Sequence, residues 1–522
     1  MAHHEMWNDE LQSWLIARDS TSLSELHSNL TYQGHPFLWY LCLYVLAKLT
    51  HNPVIMQVLH LIIATGVVYV FLFFSPFNKL QKFLFCFSYF PLYEYGIISR
   101  NYSLGILFIF IFCALYSQPK RNYILLSLCL AWSSQTNVYS LIISLALALM
   151  IFGTEILKSI INNKKLSSKL HFFVAIGIYL IGLLTASAQI IRARGDSNIW
   201  NLESTANVTF QPVADLAIQH NNYNSIAVLS DLYTSISDYS TVLTGIWRSY
   251  IPIPDTSSQY LWGSNFLLDT QKLYLGTTNL FPLITSIASL LLFLFFIAVF
   301  SKQKKVLFIY ISGTVAIYIF GFVAKIPLLR HNGHLFILLM ICYWLLHSSN
   351  KEKRSQKRMR ESKLISFARK EQTVVFTIIM FIQLYAGMEL YIRDLIQPFS
   401  NINGVVEFIR TNQLEESLII GSRDNNTLAL SAWLNRKIYY PEIAGFGTYT
   451  VSTPESVPRN INISESEIIQ QAQKLEQESN QNILLVMNKQ LKINLEDSNI
   501  RLIAAFKEQS LINDKFFVYL VE

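Results

Sequence analysis

The stretch VIMQVLHLIIATGVVYVFLFF, from Val54 to Phe74, decides what kind of chain this is. It runs its whole length without a charged side chain, and a helix of that size reaches about 30 Å, the thickness of a bilayer's hydrocarbon core. Apolar runs recur at Phe83–Ile98, Ser103–Tyr116, Tyr123–Gln135, Val138–Leu157 and Phe172–Ile191. After a polar interval they return at Phe281–Phe300, Val306–Ala324, Gly333–Leu346 and Thr373–Ile392. The pattern predicts a polytopic α-helical membrane protein of about ten spans.

Composition points the same way. Of 522 residues, 52% are hydrophobic and only 14% charged, where a soluble chain carries about a quarter charged. The net charge of +7 falls mostly in short loops between apolar runs, so it is no nucleic-acid signature. All five cysteines lie inside apolar stretches, which excludes a disulfide framework and zinc spacing. The chain starts polar and no basic region precedes its first apolar run, so no cleavable signal peptide is read.

Three regions follow. Residues 1–53 form a first exported loop with interfacial helices, because Pro36 to Thr50 is too short for a span and is interrupted by Lys48. Residues 54–392 form the membrane domain, including a large exported loop over 192–280. Residues 393–522 have the composition of a small soluble α/β domain. Its strand-like runs are Ser417–Ile420, Lys437–Tyr440, Ile483–Met487, Arg501–Ala505 and Phe516–Val521, and a helix opens at Ser464 with Glu467 at capping-box spacing.

Lysine and arginine placement orients the chain. Lys79 and Lys82, Lys120 and Arg121, Lys158 to Lys169, Lys302 to Lys305 and the run Lys351 to Lys370 fall in alternate loops. With the Pro36 segment interfacial, all of them share the cytoplasmic side. The N-terminal stretch, Ser99-Arg100-Asn101-Tyr102, the long loop, Arg330-His331 and the C-terminal domain then share the opposite, exported face.

That face collects the residues able to do chemistry. Asp9 and Glu10 open a short amphipathic helix at a water–lipid boundary, where a carboxylate can serve as a base. His35 lies in the turn Gly34-His35-Pro36 ahead of Leu38-Trp39-Tyr40. Glu94, Arg100 and Tyr102 stand at the end of one span, and Arg330-His331 in a short turn after Lys325. Ionisable groups at membrane depth are costly, and cations gathered at one boundary suit a phosphate tethered to a lipid. The long loop is polar and aromatic, with Trp200 and Trp262, and its run Trp247 to Pro254 reads either as an aromatic, proline-stiffened lip over the site or as interfacial anchoring.

Taken as a set, Asp9-Glu10, Gly34-His35-Pro36-x-Leu38-Trp39-Tyr40, Arg100-x-Tyr102 and Arg330-His331 resemble the GT-C glycosyltransferase superfamily. The nearest branches are the protein O-mannosyltransferases and aminoarabinose transferases. The resemblance covers the membrane portion, roughly Trp7 to Ile392. It implies Asp9, with Glu10 beside it, as the catalytic carboxylate, and Arg100, Arg330 and His331 as contacts to a lipid phosphate. His35, Glu94 and Tyr102 would complete the substrate site. The implied reaction moves a sugar from a polyprenyl-phosphate donor to an acceptor hydroxyl on a protein, lipid or polysaccharide; the absence of stabilising cysteines and the compact exported loops point to a bacterial inner membrane. The leaving group is already an anion, so one base suffices, unlike hydrolysis with its two carboxylates. The resemblance leaves a divalent cation, magnesium or manganese, open at Asp9, with no second acidic motif to mark it. Such enzymes carry a span ahead of the acidic loop, and few residues precede Asp9 here. A transporter or flippase of a lipid-linked substrate would use similar cations but calls for an internal repeat. A catalytically inactive relative serving as an assembly subunit is the third reading.

Overall fold

The computed structural model describes residues 3–31, 33–162, 169–193, 242–269, 274–275, 278–324, 328–350, 363–450, 463–479, 481–492 and 499–522. Trp200, Lys164, Lys165, Lys325 and Lys351 lie outside them.

The Val54–Phe74 helix forms as its composition predicts and stops where Ser75, held extended by the following Pro76, cannot continue it. Met56, His60, Ile63, Val67 and Phe71 face inward at helical spacing. The opposite side is also apolar, with Ile62 65% and Phe73 70% exposed. The helices Lys169–Ala193 and Phe281–Phe300 present Leu184 and Leu291 outward in the same way. A body apolar on both its inner and outer surfaces is built for a hydrocarbon solvent. Among the described residues seven helices are long and apolar enough to cross a membrane: Val54–Phe74, Val138–Ile161, Leu170–Ile191, Phe281–Phe300, Lys304–Ala324, Leu329–Ser348 and Ile365–Ile396.

Seven is fewer than the ten expected, and the three differences have causes. The expected span Phe83–Ile98 breaks into a helix over Lys79–Cys86 and a single π-helical turn over Tyr89–Glu94. Pro91, which lacks a backbone donor and crowds the preceding turn, sits inside that break. The helices Tyr102–Tyr116 and Tyr123–Ser134 form, at 15 and 12 residues. They reach only about 22 and 18 Å, short of a bilayer core. The helix Leu38–Ala47 has ten residues and is shorter still.

The helix Leu329–Asn350 runs through the middle of the bundle, and every residue from Leu335 to Leu345 is buried. Its first turn lies against the π-helical turn. A Cβ at Gly333 would collide with the Phe90 ring, so only glycine permits this approach.

The helix Asn8–Asp19 differs from expectation. An amphipathic helix at a water–lipid boundary would keep one face wet, yet Leu11, Ser13, Trp14, Leu15, Ile16, Ala17 and Arg18 are all buried. Met6, Leu11, Trp14 and Leu15 share a core with Trp39 and Leu43 below and Leu428 and Leu430 above. Gln12 fixes this seat, giving and taking hydrogen bonds with the Thr450 backbone at 2.7 and 3.0 Å.

That upper layer belongs to the C-terminal domain. Its six-stranded sheet runs in the order Gly445–Gly447, Ile438–Tyr440, Leu418–Ser422, Ile483–Met487, Phe516–Val521, Ile500–Phe506. Leu418–Ser422 pairs parallel with both its neighbours, and the outer pairings are antiparallel. Ile483–Met487 is buried at all five positions, as a central strand covered on both faces should be. The helix Glu465–Ser479 starts as predicted, with the Glu467 amide donating to Ser464 Oγ at 3.2 Å. Gly445–Gly447 was not anticipated, because two glycines in three residues carry little strand propensity.

Candidate functional site

The site begins with the way the Asn8–Asp19 helix is tied down. Glu10 is fully buried, and its Oε2 accepts the Trp7 amide at 3.3 Å, closing the first turn. The same carboxylate meets His4 Nε2 at 3.1 Å, while His4 Nδ1 meets Asp394 Oδ2 at 2.9 Å. Its Oε1 accepts the Ser99 amide at 2.6 Å. Glu10, paired with Asp9 in the sequence reading as catalytic, therefore faces inward with both oxygens engaged. It holds things in place: bonding Glu10 to Ser99 brings the adjacent residues, Asp9 and Arg100, face to face.

Asp9 is the meeting point. Its Oδ2 lies 2.8 Å from Arg330 Nη1 and 3.0 Å from Arg100 Nη1. Arg100 Nη1 also donates to the Asp9 backbone carbonyl at 2.8 Å. The two cations arrive from parts of the chain 230 positions apart in number, one at the turn before the Tyr102–Tyr116 helix and one at the start of the central helix. The Asp9 side chain keeps 31% of its surface exposed, against 11% for Arg100 and 15% for Arg330. The exposed part of the side chain lies away from Oδ2, which is shut off from solvent between the two guanidinium groups.

Aromatic rings set the arginine positions. The Arg100 guanidinium stands 5.8 Å from the Tyr102 ring centre and that of Arg330 5.6 Å from Trp262. Trp262 is itself fixed. Its Nε1 donates to Glu94 Oε2 at 3.0 Å, its ring meets Trp7 edge-on at 5.1 Å, and its amide donates to the Leu511 carbonyl at 3.2 Å. Glu94, expected to contact substrate, is buried and also accepts the Tyr89 hydroxyl at 2.8 Å. It acts on the site through Trp262. His331 stacks on Tyr139 with ring centres 5.0 Å apart, turned toward an aromatic group that includes Tyr102 and His334. At the site stands Trp262, outside the run expected to form the lip. Trp247 points elsewhere, donating its amide to Ser289 Oγ and its Nε1 to Asn265.

The electrostatics follow from this packing. Burial alone would raise the Asp9 carboxyl, but Arg330 and Arg100 outweigh it and hold it below its ordinary value. His35 is driven down to about 3 by burial together with the two arginine charges, so it is neutral and offers hydrogen bonding without a charge. His4 goes the other way: burial would lower it, yet Glu10 and Asp394 lift it to about 10.

Compared with known proteins, the chain matches no family model, no curated protein and no solved structure. Function must come from these side chains.

A divalent cation at Asp9 does not fit them. The same oxygen is shared by two guanidinium groups, whose charge repels a metal. Among the described residues no group of three His, Cys, Asp or Glu could hold a metal ion. The structure thus gathers Asp9, Arg100, Arg330, Tyr102 and His35, sets Glu94 one step back, keeps His331 against Tyr102 and Tyr139, and turns Glu10 inward. Sequence reasoning gave no site role to Trp262, His4 or Asp394. Trp262 carried a signal as an aromatic in a polar loop. His4 and Asp394 carried none, being far apart in the chain and each ordinary in its own context.

Proposed function

We propose that this protein is a membrane glycosyltransferase that moves a sugar from a polyprenyl-phosphate donor to an acceptor hydroxyl at the extracytoplasmic face of a bacterial inner membrane. The observation that carries the reading is the contact of one partly exposed carboxylate, Asp9, with two cations, Arg100 and Arg330, at the edge of a body built for lipid. A lipid-linked phosphate needs cations at that depth, because its tail stays in hydrocarbon while its headgroup lies at the boundary. Arg100 and Arg330 hold the phosphate and stabilise the charge that builds on it as the sugar leaves. Asp9 takes the proton from the acceptor hydroxyl, and the oxygen attacks the anomeric carbon in a single displacement, inverting its configuration. Tyr102 and Trp262 keep the guanidinium groups aimed, and no step runs through a metal. The gathering of ionisable groups at one end favours this chemistry over transport, which calls for a site near mid-bilayer.

The test is transfer by the purified protein in vesicles supplied with polyprenyl-phosphate sugars. Asp9→Asn abolishes transfer while leaving expression intact and donor binding undiminished. Normal turnover by Asp9→Asn would remove Asp9 as the base.

A further inference from the structure

We propose that Asp9 is a stand-in for the donor's phosphate: its carboxylate holds Arg100 and Arg330 together in the resting protein, and the phosphodiester of the arriving donor takes both arginines and releases Asp9 to act. This rests on the proposed sugar transfer and adds an order of events to it.

Three observations lead here. First, a single oxygen, Asp9 Oδ2, lies within 3.0 Å of both Nη1 atoms, so one anionic oxygen already bridges the two cations. A phosphate oxygen has the same charge and bonding preference, so the two anions compete for one position. Second, the competition is unequal. Asp9 offers a single charge to two guanidinium groups, and Arg330 Nε is buried without a hydrogen-bond partner. The donor's phosphodiester carries one charge, as Asp9 does, but its tetrahedral set of oxygens can bridge the pair and meet that donor too. Third, the arginines are held from outside Asp9. Arg100 sits over Tyr102 and follows Ser99, which is bonded to Glu10, while Arg330 sits against Trp262 and starts the central helix. They keep their places when their anion is exchanged. Asp9 remains nearby because Glu10, the next residue, is fastened to His4 and Ser99.

The exchange resolves a conflict in the chemistry. A carboxylate shared between two guanidinium groups is a weak base, and its depressed affinity for protons follows from those two charges. Once they are turned to phosphate, Asp9 recovers its basicity beside the anion whose sugar it must help to transfer. In the absence of donor the base is muted.

The proposal reverses the sign of a usual expectation. Removing a site residue ordinarily weakens binding, but here removing the competitor strengthens it. The measurement is binding of farnesyl phosphate, a short form of the polyprenyl phosphate that leaves when the sugar is transferred and that occupies the same phosphate position, to the whole chain in detergent, with inorganic phosphate in parallel. Asp9→Asn is expected to bind farnesyl phosphate roughly tenfold tighter than the wild type. The gain must disappear when Arg330→Ala is combined with Asp9→Asn, whereas a general charge effect would persist in the double variant. A gain confined to farnesyl phosphate identifies a lipid headgroup as the ligand, and an equal gain for inorganic phosphate identifies free phosphate. Asp9→Ser carries the same expectation if the asparagine variant does not fold. Unchanged or weaker binding in a folded variant overturns the stand-in while leaving the transfer assay to be judged separately. Failure of farnesyl phosphate to bind either protein overturns both.

Discussion

Replacing His4 by alanine should destabilise the protein far more than a residue near a chain end normally would. The His4 side chain is 1% exposed and bridges Glu10 and Asp394, whose side chains are 0% and 4% exposed. Removing the cation leaves two buried carboxylates facing each other, and breaking a buried pair from one side costs about 3–5 kcal/mol. The histidine's own protonation gives a second route to the magnitude. Its pKa is raised from 6.5 to about 10, despite burial that by itself would lower it, because Glu10 and Asp394 favour the charged ring. At about 1.4 kcal/mol per unit this amounts to ~5 kcal/mol, which agrees with the first figure. The sign gives the assay. A pKa raised in the folded state means stability that is complete below pH 6.5 and lost as pH climbs toward 10, at about 1.4 kcal/mol per pH unit between. Thermal unfolding in detergent, followed by tryptophan fluorescence, should show a gap of several kcal/mol between wild type and His4→Ala at pH 6.5. That gap should close as pH approaches 10, because the wild-type ring then loses its charge too. Adding Glu10→Gln to His4→Ala should restore part of the loss by removing one of the stranded charges. Parallel curves for wild type and His4→Ala from pH 6.5 to 10 would refute the buried ion triad.

Other consequences can be measured separately. Arg330→Ala should weaken farnesyl phosphate binding about 10- to 100-fold, the value of one charge-assisted contact, as read by calorimetry. Asp9 is held below the ordinary carboxylate range by Arg330 and Arg100 against the opposing effect of burial, so it stays ionised as pH falls and its ion pairs are lost only below that range. The kcat/KM profile, which reports the free enzyme, should therefore show no acid limb near pH 4. Gly333→Val should lower the thermal midpoint, overpacking against Phe90 costing about 1–3 kcal/mol, while Gly321→Ala, facing open space in a helix, should not.

Much of the fold could be read from composition, and its errors are instructive. Hydropathy found the long apolar helices because a bilayer demands length and apolarity, both local properties of the chain. It overcounted at Phe83–Ile98 because an average over a window hides what one Pro91 does to a helix. It placed the Asn8–Asp19 helix at a wet boundary because nothing in those residues records the domain that covers them.

The site divides along the same line. From the sequence alone came the residue types: a carboxylate near the start, arginines at the ends of apolar runs, and aromatics in the polar loops, each conspicuous because charge beside lipid is costly. Only the tertiary structure decided that Asp9 touches Arg100 and Arg330 while Glu10, its neighbour, turns inward to His4. One residue of helix rotates a side chain by about 100°, so adjacent carboxylates point to different surroundings, and what those surroundings are depends on segments hundreds of residues away. Sequence carries the cost of each charge. Packing decides which opposite charge meets it.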